Sequence, residues 1–153
     1  MRILIACDHG ALELKDYLVA SLQKRQDVTV DDLGVHSSDS VDYPDYADAL
    51  CKGVLAESDA VRGILLCGTG IGISIAANRY PGIRAALCHD ECTARLSREH
   101  NNANVLVLGG RTTGPVVAEG ILDTWLSTAF EGGRHEGRLN KIEVLSQTYR
   151  DGK

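Results

Sequence analysis

The segment Cys67-Gly68-Thr69-Gly70-Ile71-Gly72-Ile73-Ser74 holds the residues best suited to chemistry. It follows the apolar run Gly63-Ile64-Leu65-Leu66 and leads into residues 71–79, which read as a helix. Glycines at these positions let the chain turn sharply and leave successive N–H groups open. Together with the positive end of the following helix, those groups favour an anion, either a bound phosphate or an oxyanion formed during a reaction. A tight strand-to-helix turn that binds nothing uses the same residues. Two familiar phosphate motifs are excluded. The G-x-G-x-x-G fingerprint needs a glycine where Ile73 stands, although Asp90 mimics the spacing of its ribose-binding acid, and the Walker loop needs a lysine that is missing. Cys67 ends the strand just before the N–H groups, whose field favours a thiolate able to act as nucleophile or base. Core packing is the alternative for any free cysteine.

Other polar groups stand where neighbouring strands would end. Asp8-His9 follows Ile3-Leu4-Ile5-Ala6, His89-Asp90 follows a short strand at Arg84 to Cys88, and Arg111 follows Val105-Leu106-Val107-Leu108 and Gly109-Gly110. Asp8 also suits a cap on residues 10 and 11. His100-Asn101-Asn102, placed just past a helix that starts at Asp90, serves equally as a helix C-terminus or as part of a site. Arg134 and Arg138 are four residues apart. If a helix begins there, both guanidiniums share one face and can grip a phosphate, or they form an ordinary solvated charged face. His135, between them, is expected to point elsewhere and be exposed.

The elements that would position these groups alternate. Strands are expected at 3–6, 28–30, 63–67, 84–88 and 105–108. Helices are expected at 10–25, 44–57, 71–79, 90–99, 115–129 and 139–150, with Val116, Val117, Ile121, Leu122, Trp125 and Leu126 on the apolar stripe of the fifth. This pattern predicts an α/β fold, a three-layer, Rossmann-like, doubly wound five-stranded parallel sheet with helices on both faces. Ligands in such folds bind beyond the carboxyl ends of the strands, where the candidate residues fall.

The 153 residues suit one domain spanning 1–153, and 44% hydrophobic residues with 5% aromatics imply an aliphatic core. A net charge of −5 argues against a broad nucleic-acid surface. No apolar run is long enough for a membrane helix, and no secretory signal is visible. The five cysteines form no C-x-x-C pair, and Cys88-x3-Cys92 lacks partners for zinc, so they read as reduced thiols of a cytoplasmic protein.

Taken together, Asp8-His9 with Leu14-Lys15, Asp42-Tyr43-Pro44, the run from Cys67 to Asn78, Leu96-Ser97-Arg98-Glu99-His100-Asn101, and Glu131-Gly132-Gly133-Arg134-His135 with Arg138 resemble the ribose-5-phosphate isomerase B family over nearly the whole chain. That wider family includes galactose-6-phosphate and allose-6-phosphate isomerases. The resemblance implies a cofactor-free, metal-free interconversion of ribose 5-phosphate and ribulose 5-phosphate through a cis-enediolate, a step of the pentose phosphate pathway. It implies Cys67 as the base between C1 and C2, with N–H groups from Gly68, Gly70, Ile71 and Gly72 stabilising the enediolate. Thr69 would relay a proton or assist ring opening, and His100 would open the furanose with Asp8 nearby. His9, Arg134 and Arg138 would hold the phosphate, and Tyr43, Asn101 and Arg111 would contact the sugar or order the site. It further implies a homo-oligomer, dimer or tetramer, with shared sites and the C-terminal helix packed on a partner. Other members place a serine at the proton-transfer step and use a carboxylate base; the cysteine here points to the thiolate version. The family's Asp-His-x-Gly reads Asp8-His9-Gly10-Ala11, with the glycine displaced by one. Two competing functions need fewer of these residues: a flavodoxin-like anion-binding module needs only the fold and the loop, and a thiol redox protein needs only Cys67.

Overall fold

The computed structural model of the chain describes residues 1–57 and 61–151. Five strands form one sheet: β1 (Arg2–Cys7), β2 (Thr29–Asp32), β3 (Val61–Cys67), β4 (Ala85–Leu87) and β5 (Val105–Gly109). All pairs are parallel, in the order β2-β1-β3-β5-β4. Six helices lie around it: α1 (Leu12–Leu22), α2 (Tyr43–Glu57), α3 (Ile71–Ala77), α4 (Glu91–Asn101), α5 (Pro115–Ser127) and α6 (Arg134–Asp151). The doubly wound sheet is therefore the one expected.

The central strands are apolar on both faces because both faces are covered. Ile3, Ile5, Ile64, Leu66, Leu106 and Leu108 pack with residues of α1, α4 and α5 such as Leu18, Ala94, Ile121 and Trp125. Their alternate neighbours Leu4, Ala6, Leu65, Val105 and Val107 pack with residues of α2 and α3 such as Leu50, Val54 and Ile73. The chain first winds outward from β1 to β2, then crosses back to β3 and continues the other way. The reversal lies between β1 and β3, whose register sets Cys7 beside Leu66, while the pairing of β3 with β5 sets Cys67 beside Gly109. A crevice at such a reversal is the usual ligand site of an open α/β sheet.

Several boundaries move. The first helical stretch is a short 3-10 turn at His9–Ala11 followed by α1, because Asp8 caps the turn by accepting from the Gly10 N–H at 2.9 Å. The last helix starts at Arg134, not near residue 139, and α4 carries His100 and Asn101 inside its last turn rather than past it. Val116 and Val117 do not join the buried stripe of α5. They are 80% and 50% exposed, because the face turned to the sheet is Ala118, Ile121, Leu122 and Trp125.

One buried charge ties β2 to α1. Lys15 has no exposed surface, and its Nζ donates to Asp32 Oδ2 at 2.7 Å and to the Val35 carbonyl at 2.8 Å. Burial pushes the ammonium pKa down, but hydrogen bonding and charge from Asp32 outweigh it and hold it above the ordinary lysine value. Asp32→Ala would leave this cation only the largely solvated Asp16 carboxylate at 3.3 Å and the Val35 carbonyl, and breaking a buried pair from one side costs up to about 3–5 kcal/mol. Urea unfolding should show that loss, with Lys15→Met milder because Asp32 is partly solvated. Equal stability of Asp32→Ala and the parent would refute the role of the pair.

Candidate active site

The carboxyl edge of the sheet gathers the first group of candidate residues. Cys67 closes β3 with 5% of its surface exposed, and its Sγ accepts the Gly70 N–H at 3.1 Å. The Cys67 carbonyl takes the Gly110 N–H at 2.8 Å, which locks the loop to the end of β5. Gly70 has φ of +78°, and a Cβ there would strike Leu87 and stand 3.1 Å from the Leu108 carbonyl, so only glycine fits. Its left-handed turn starts α3. The N–H groups of Gly72 and Ile73 open that helix without intrahelical acceptors, while Ile71 N–H meets Thr69 Oγ1 at 3.4 Å.

Tyr43 and Arg111 lean on this loop, and Asp8 and His9 follow the adjacent strand. A Cβ at Gly72 would meet the Tyr43 ring at 2.7 Å, so the bare glycine seats that phenol beside the start of α3. Arg111 lays its side chain over Gly68, where an added Cβ would be 3.5 Å from Nε, and its N–H donates to the Gly68 carbonyl at 2.9 Å. Asp8, 8% exposed, is bound through its own N–H to the Leu66 carbonyl at 3.1 Å, adjacent to Cys67. His9 accepts the Val41 N–H on Nδ1 at 3.2 Å, which leaves the proton of a neutral ring on Nε2 as a free donor. The displaced glycine of Asp8-His9-Gly10-Ala11 is accommodated: Gly10 lies against Gly68, and Ala11 is buried under Gly110.

The second group is elsewhere. β4 and β5 are parallel neighbours, so α4 must run back along the sheet to connect them, about 14 Å from Glu91 to His100. His100 and Asn101 therefore stand at the amino edge, opposite to Cys67. Arg84, at the foot of β4, confirms their level by donating to the Asn101 carbonyl at 3.1 Å. Glu131 N–H binds the Glu99 carbonyl at 3.0 Å, bringing α6 and its exposed Arg134 and Arg138 to the same place. A single chain thus does not bring Cys67 together with His100, Asn101, Arg134 and Arg138. The candidate residues therefore form two groups, one at each edge of the sheet.

His135 is the main residue that sequence reasoning misplaced. It is 4% exposed, not solvent-facing, and its ring stacks on His100 with centroids 4.3 Å apart and planes 8° from parallel. Arg134 Nε donates to His135 Nε2 at 3.4 Å, and Glu131 Oε2 is 3.5 Å from the same nitrogen. The i to i+4 relation of Glu131 and His135 across Gly132-Gly133 was the only available signal. Candidate ligand atoms of His100, Glu131 and His135 lie within 4.8 Å of one another. Stacked rings aim their in-plane lone pairs in parallel, however, so the pair does not converge on one ion as a tetrahedral centre requires.

Burial, followed by the charges of His100, Arg134 and Arg138, pushes the His135 pKa below the ordinary histidine value, against the pull of Glu131. The unfolded chain therefore binds more protons than the folded one, and stability should fall as pH drops below about 6.5. Melting curves of His135→Phe, which keeps a flat ring on His100 but cannot titrate, should show a weaker decline between about pH 6.5 and 5.5. An unchanged slope would place that pH dependence in other groups.

Three of the remaining cysteines are unsuited to the role of Cys67. Burial pushes the thiols of Cys7 and Cys51 up to about 12 and that of Cys88 up to about 11, so they stay protonated. Cys92 is exposed on α4. Among the described residues no helix is long and apolar enough to cross a membrane.

Comparison with known proteins gives the family. The family model described as Ribose/Galactose Isomerase matches residues 3–142. The chain is 46% identical to ribose-5-phosphate isomerase B of Escherichia coli over 95% of its own length and 97% of that protein's. It is 45% identical to the putative sugar phosphate isomerase YwlF of Bacillus subtilis, over 93% and 95%. Among solved structures, ribose-5-phosphate isomerase B of Clostridium thermocellum superposes with a TM-score of 0.93 at 49% identity, over 97% of this chain and 99% of the other. A ribose 5-phosphate isomerase from Thermotoga maritima gives 0.88 at 55% identity, over 93% and 97%. With the parallel sheet, the Cys67 loop and matches of this extent, the chain belongs to the ribose/galactose isomerase family.

Proposed function

We propose that the chain is an aldose–ketose isomerase interconverting ribose 5-phosphate and ribulose 5-phosphate, each site being built from the carboxyl edge of one copy and the amino edge of another. The observation that carries the reading is Cys67 Sγ at the sheet reversal, held by the Gly70 N–H and followed by the open N–H groups of α3. Isomerisation beside a carbonyl needs a base, donors for the developing oxyanion and an anchor away from the reacting carbons.

In this reading the partner's Arg134 and Arg138, exposed one turn apart on α6, grip the phosphate with His9 Nε2–H. His100 from that edge, with Asp8, transfers the proton that opens the furanose. The Cys67 thiolate takes the C2 proton of the open aldose, and the C2–H electrons form the C1–C2 double bond as the carbonyl oxygen becomes an enediolate oxygen. N–H groups between Gly68 and Gly72 stabilise that oxygen. The Cys67 thiol returns its proton to C1, and Thr69 relays the exchange between O1 and O2. Tyr43, Asn101 and Arg111 border the sugar. The residues named require neither a metal nor an organic cofactor.

A coupled assay should give a kcat/KM for ribose 5-phosphate at least about tenfold above that for allose 6-phosphate, one methylene-sized difference in a pocket being worth about 10–200-fold. The reverse ranking would identify a six-carbon isomerase. Turnover of neither would favour an anion-binding module.

A further inference from the structure

A second, separate group of cations occupies the amino edge of the sheet. A cleft of about 430 Å³ is lined by Val54, Arg62, Arg84, Arg98, Asn102 and Asn104. Arg98 is 5% exposed and points into it from α4, while Arg62 enters from β3 and Arg84 from the foot of β4. Their hydrogen bonds go to neutral acceptors. Arg98 donates to the Ala103 carbonyl at 2.5 Å, Asn102 Oδ1 at 2.9 Å and the Thr128 carbonyl at 3.4 Å. Arg62 donates to the Leu126 carbonyl at 3.4 Å, and Arg84 to the carbonyls of Asn101 and Asn102 at 3.1 Å. Among the described residues the one acid near the three is Glu143, 3.8 Å from Arg84. Arg62 and Arg98 otherwise rest on the indole of Trp125, at 5.4 and 5.7 Å from its centroid.

Neutral carbonyls orient guanidiniums but do not cancel their charge, and three cations around one small cleft repel one another. Burial, then the charges of Arg62 and Arg84, depress Arg98 to about 10, and burial lowers Arg62 as well. Guanidinium forks match tetrahedral oxyanions, and such clusters are relieved by one. We infer that this cleft is a binding site for a small phosphate-type anion, inorganic phosphate or a phosphomonoester group, distinct from the reacting centre. It shares the amino edge with His100 and α6 but lies to one side of them. It also differs from the Arg134–Arg138 pair, which is exposed on α6, whereas this cleft opens between α2, β3 and the end of α4.

The test uses the full chain carrying Arg134→Ala and Arg138→Ala, so that phosphate held by that pair does not contribute. Its melting temperature is followed against inorganic phosphate, with ionic strength held constant by chloride. A specific site raises the midpoint by roughly 5–10 °C at about a hundredfold excess over Kd. Arg98 is packed too deeply to carry the test, so Arg62→Gln and Arg84→Gln are added, and each should remove most of the rise. A rise no larger than chloride gives, or one that persists with both glutamines in place, overturns the site. A change of oligomeric state on adding the two glutamines, with no phosphate effect in the parent, would assign the arginines to a subunit contact and also overturn it.

Discussion

Co-assembly of two inactive chains should restore about a quarter of the parental activity when they are mixed one to one. The first carries Cys67→Ala and is intact at the amino edge; the second carries Arg134→Ala with Arg138→Ala and is intact at the carboxyl edge. The prediction follows from α4, which carries His100 down the length of the sheet away from Cys67, and from α6, whose first residues are fastened to α4 by Glu131 and Glu99. No loop adjustment moves groups along the length of a packed sheet whose core residues have almost no exposed surface. Two copies joined isologously, each presenting its amino edge to the other's carboxyl edge, would solve the problem. Half of the carboxyl edges in the mixture hold Cys67, and half of the amino edges opposing them hold both arginines, so about one site in four is complete. Hetero-assemblies isolated by two tags should reach about half. Hetero-assemblies that form and stay inactive would mean that the arginines do not belong to the site that Cys67 serves.

The same geometry explains what the sequence could and could not reveal. The layers and the sheet were legible because central strands buried on both faces read as unbroken runs such as Ile3-Leu4-Ile5-Ala6, and because Gly70 and Pro115 mark where helices begin. The Cys67 loop was legible because its chemistry is local: sulfur, donors and helix start lie within six residues. The separation of the candidate residues between two edges was not legible from motif spacing, although the topology contains it once α4 is placed between two parallel strands. Reading His100 and Asn101 as lying past the helix hid the fact that they end it at the far edge. His135 was misjudged for a related reason. Helical spacing alone puts it away from Arg134 and Arg138, and away from those two means toward solvent unless another element covers that side. The covering element is the last turn of α4, and His100 is the surface it offers. The arginine cleft escaped notice because Arg62, Arg84 and Arg98 are far apart in sequence and are assembled by β3, β4 and α4 at a place where α/β folds do not usually bind ligands.

The largest single effect is expected at Cys67. Cys67→Ala should lower kcat for ribose 5-phosphate by about 10²–10⁴-fold, the contribution of one well-placed general base, while KM changes little. KM should hold because, in the proposed site, the phosphate grip comes from His9 and the partner's arginines and not from the sulfur. The fold should hold as well, since the loop is fixed by backbone bonds from Gly110 to the Cys67 carbonyl and from Arg111 to the Gly68 carbonyl, both independent of the side chain. Cys67→Ser is the sharper comparison. It keeps a polar atom facing the Gly70 N–H and keeps the size of the side chain, yet a hydroxyl ionises far too weakly near neutral pH to serve as the base. Loss in serine close to that in alanine would show that proton removal, rather than shape or hydrogen bonding, is what sulfur supplies. The competing base is Asp8, the carboxylate at the end of the adjacent strand, but its Oδ1 is already engaged by the Gly10 N–H in the cap that starts the 3-10 turn. If alanine retained more than about a tenth of the parental kcat, below the least that a general base contributes, Asp8 would take the proton and Cys67 would become a wall of the site. Deuterium exchange at C2 separates these outcomes directly: the alanine chain should bind the sugar phosphate without washing its C2 proton into solvent.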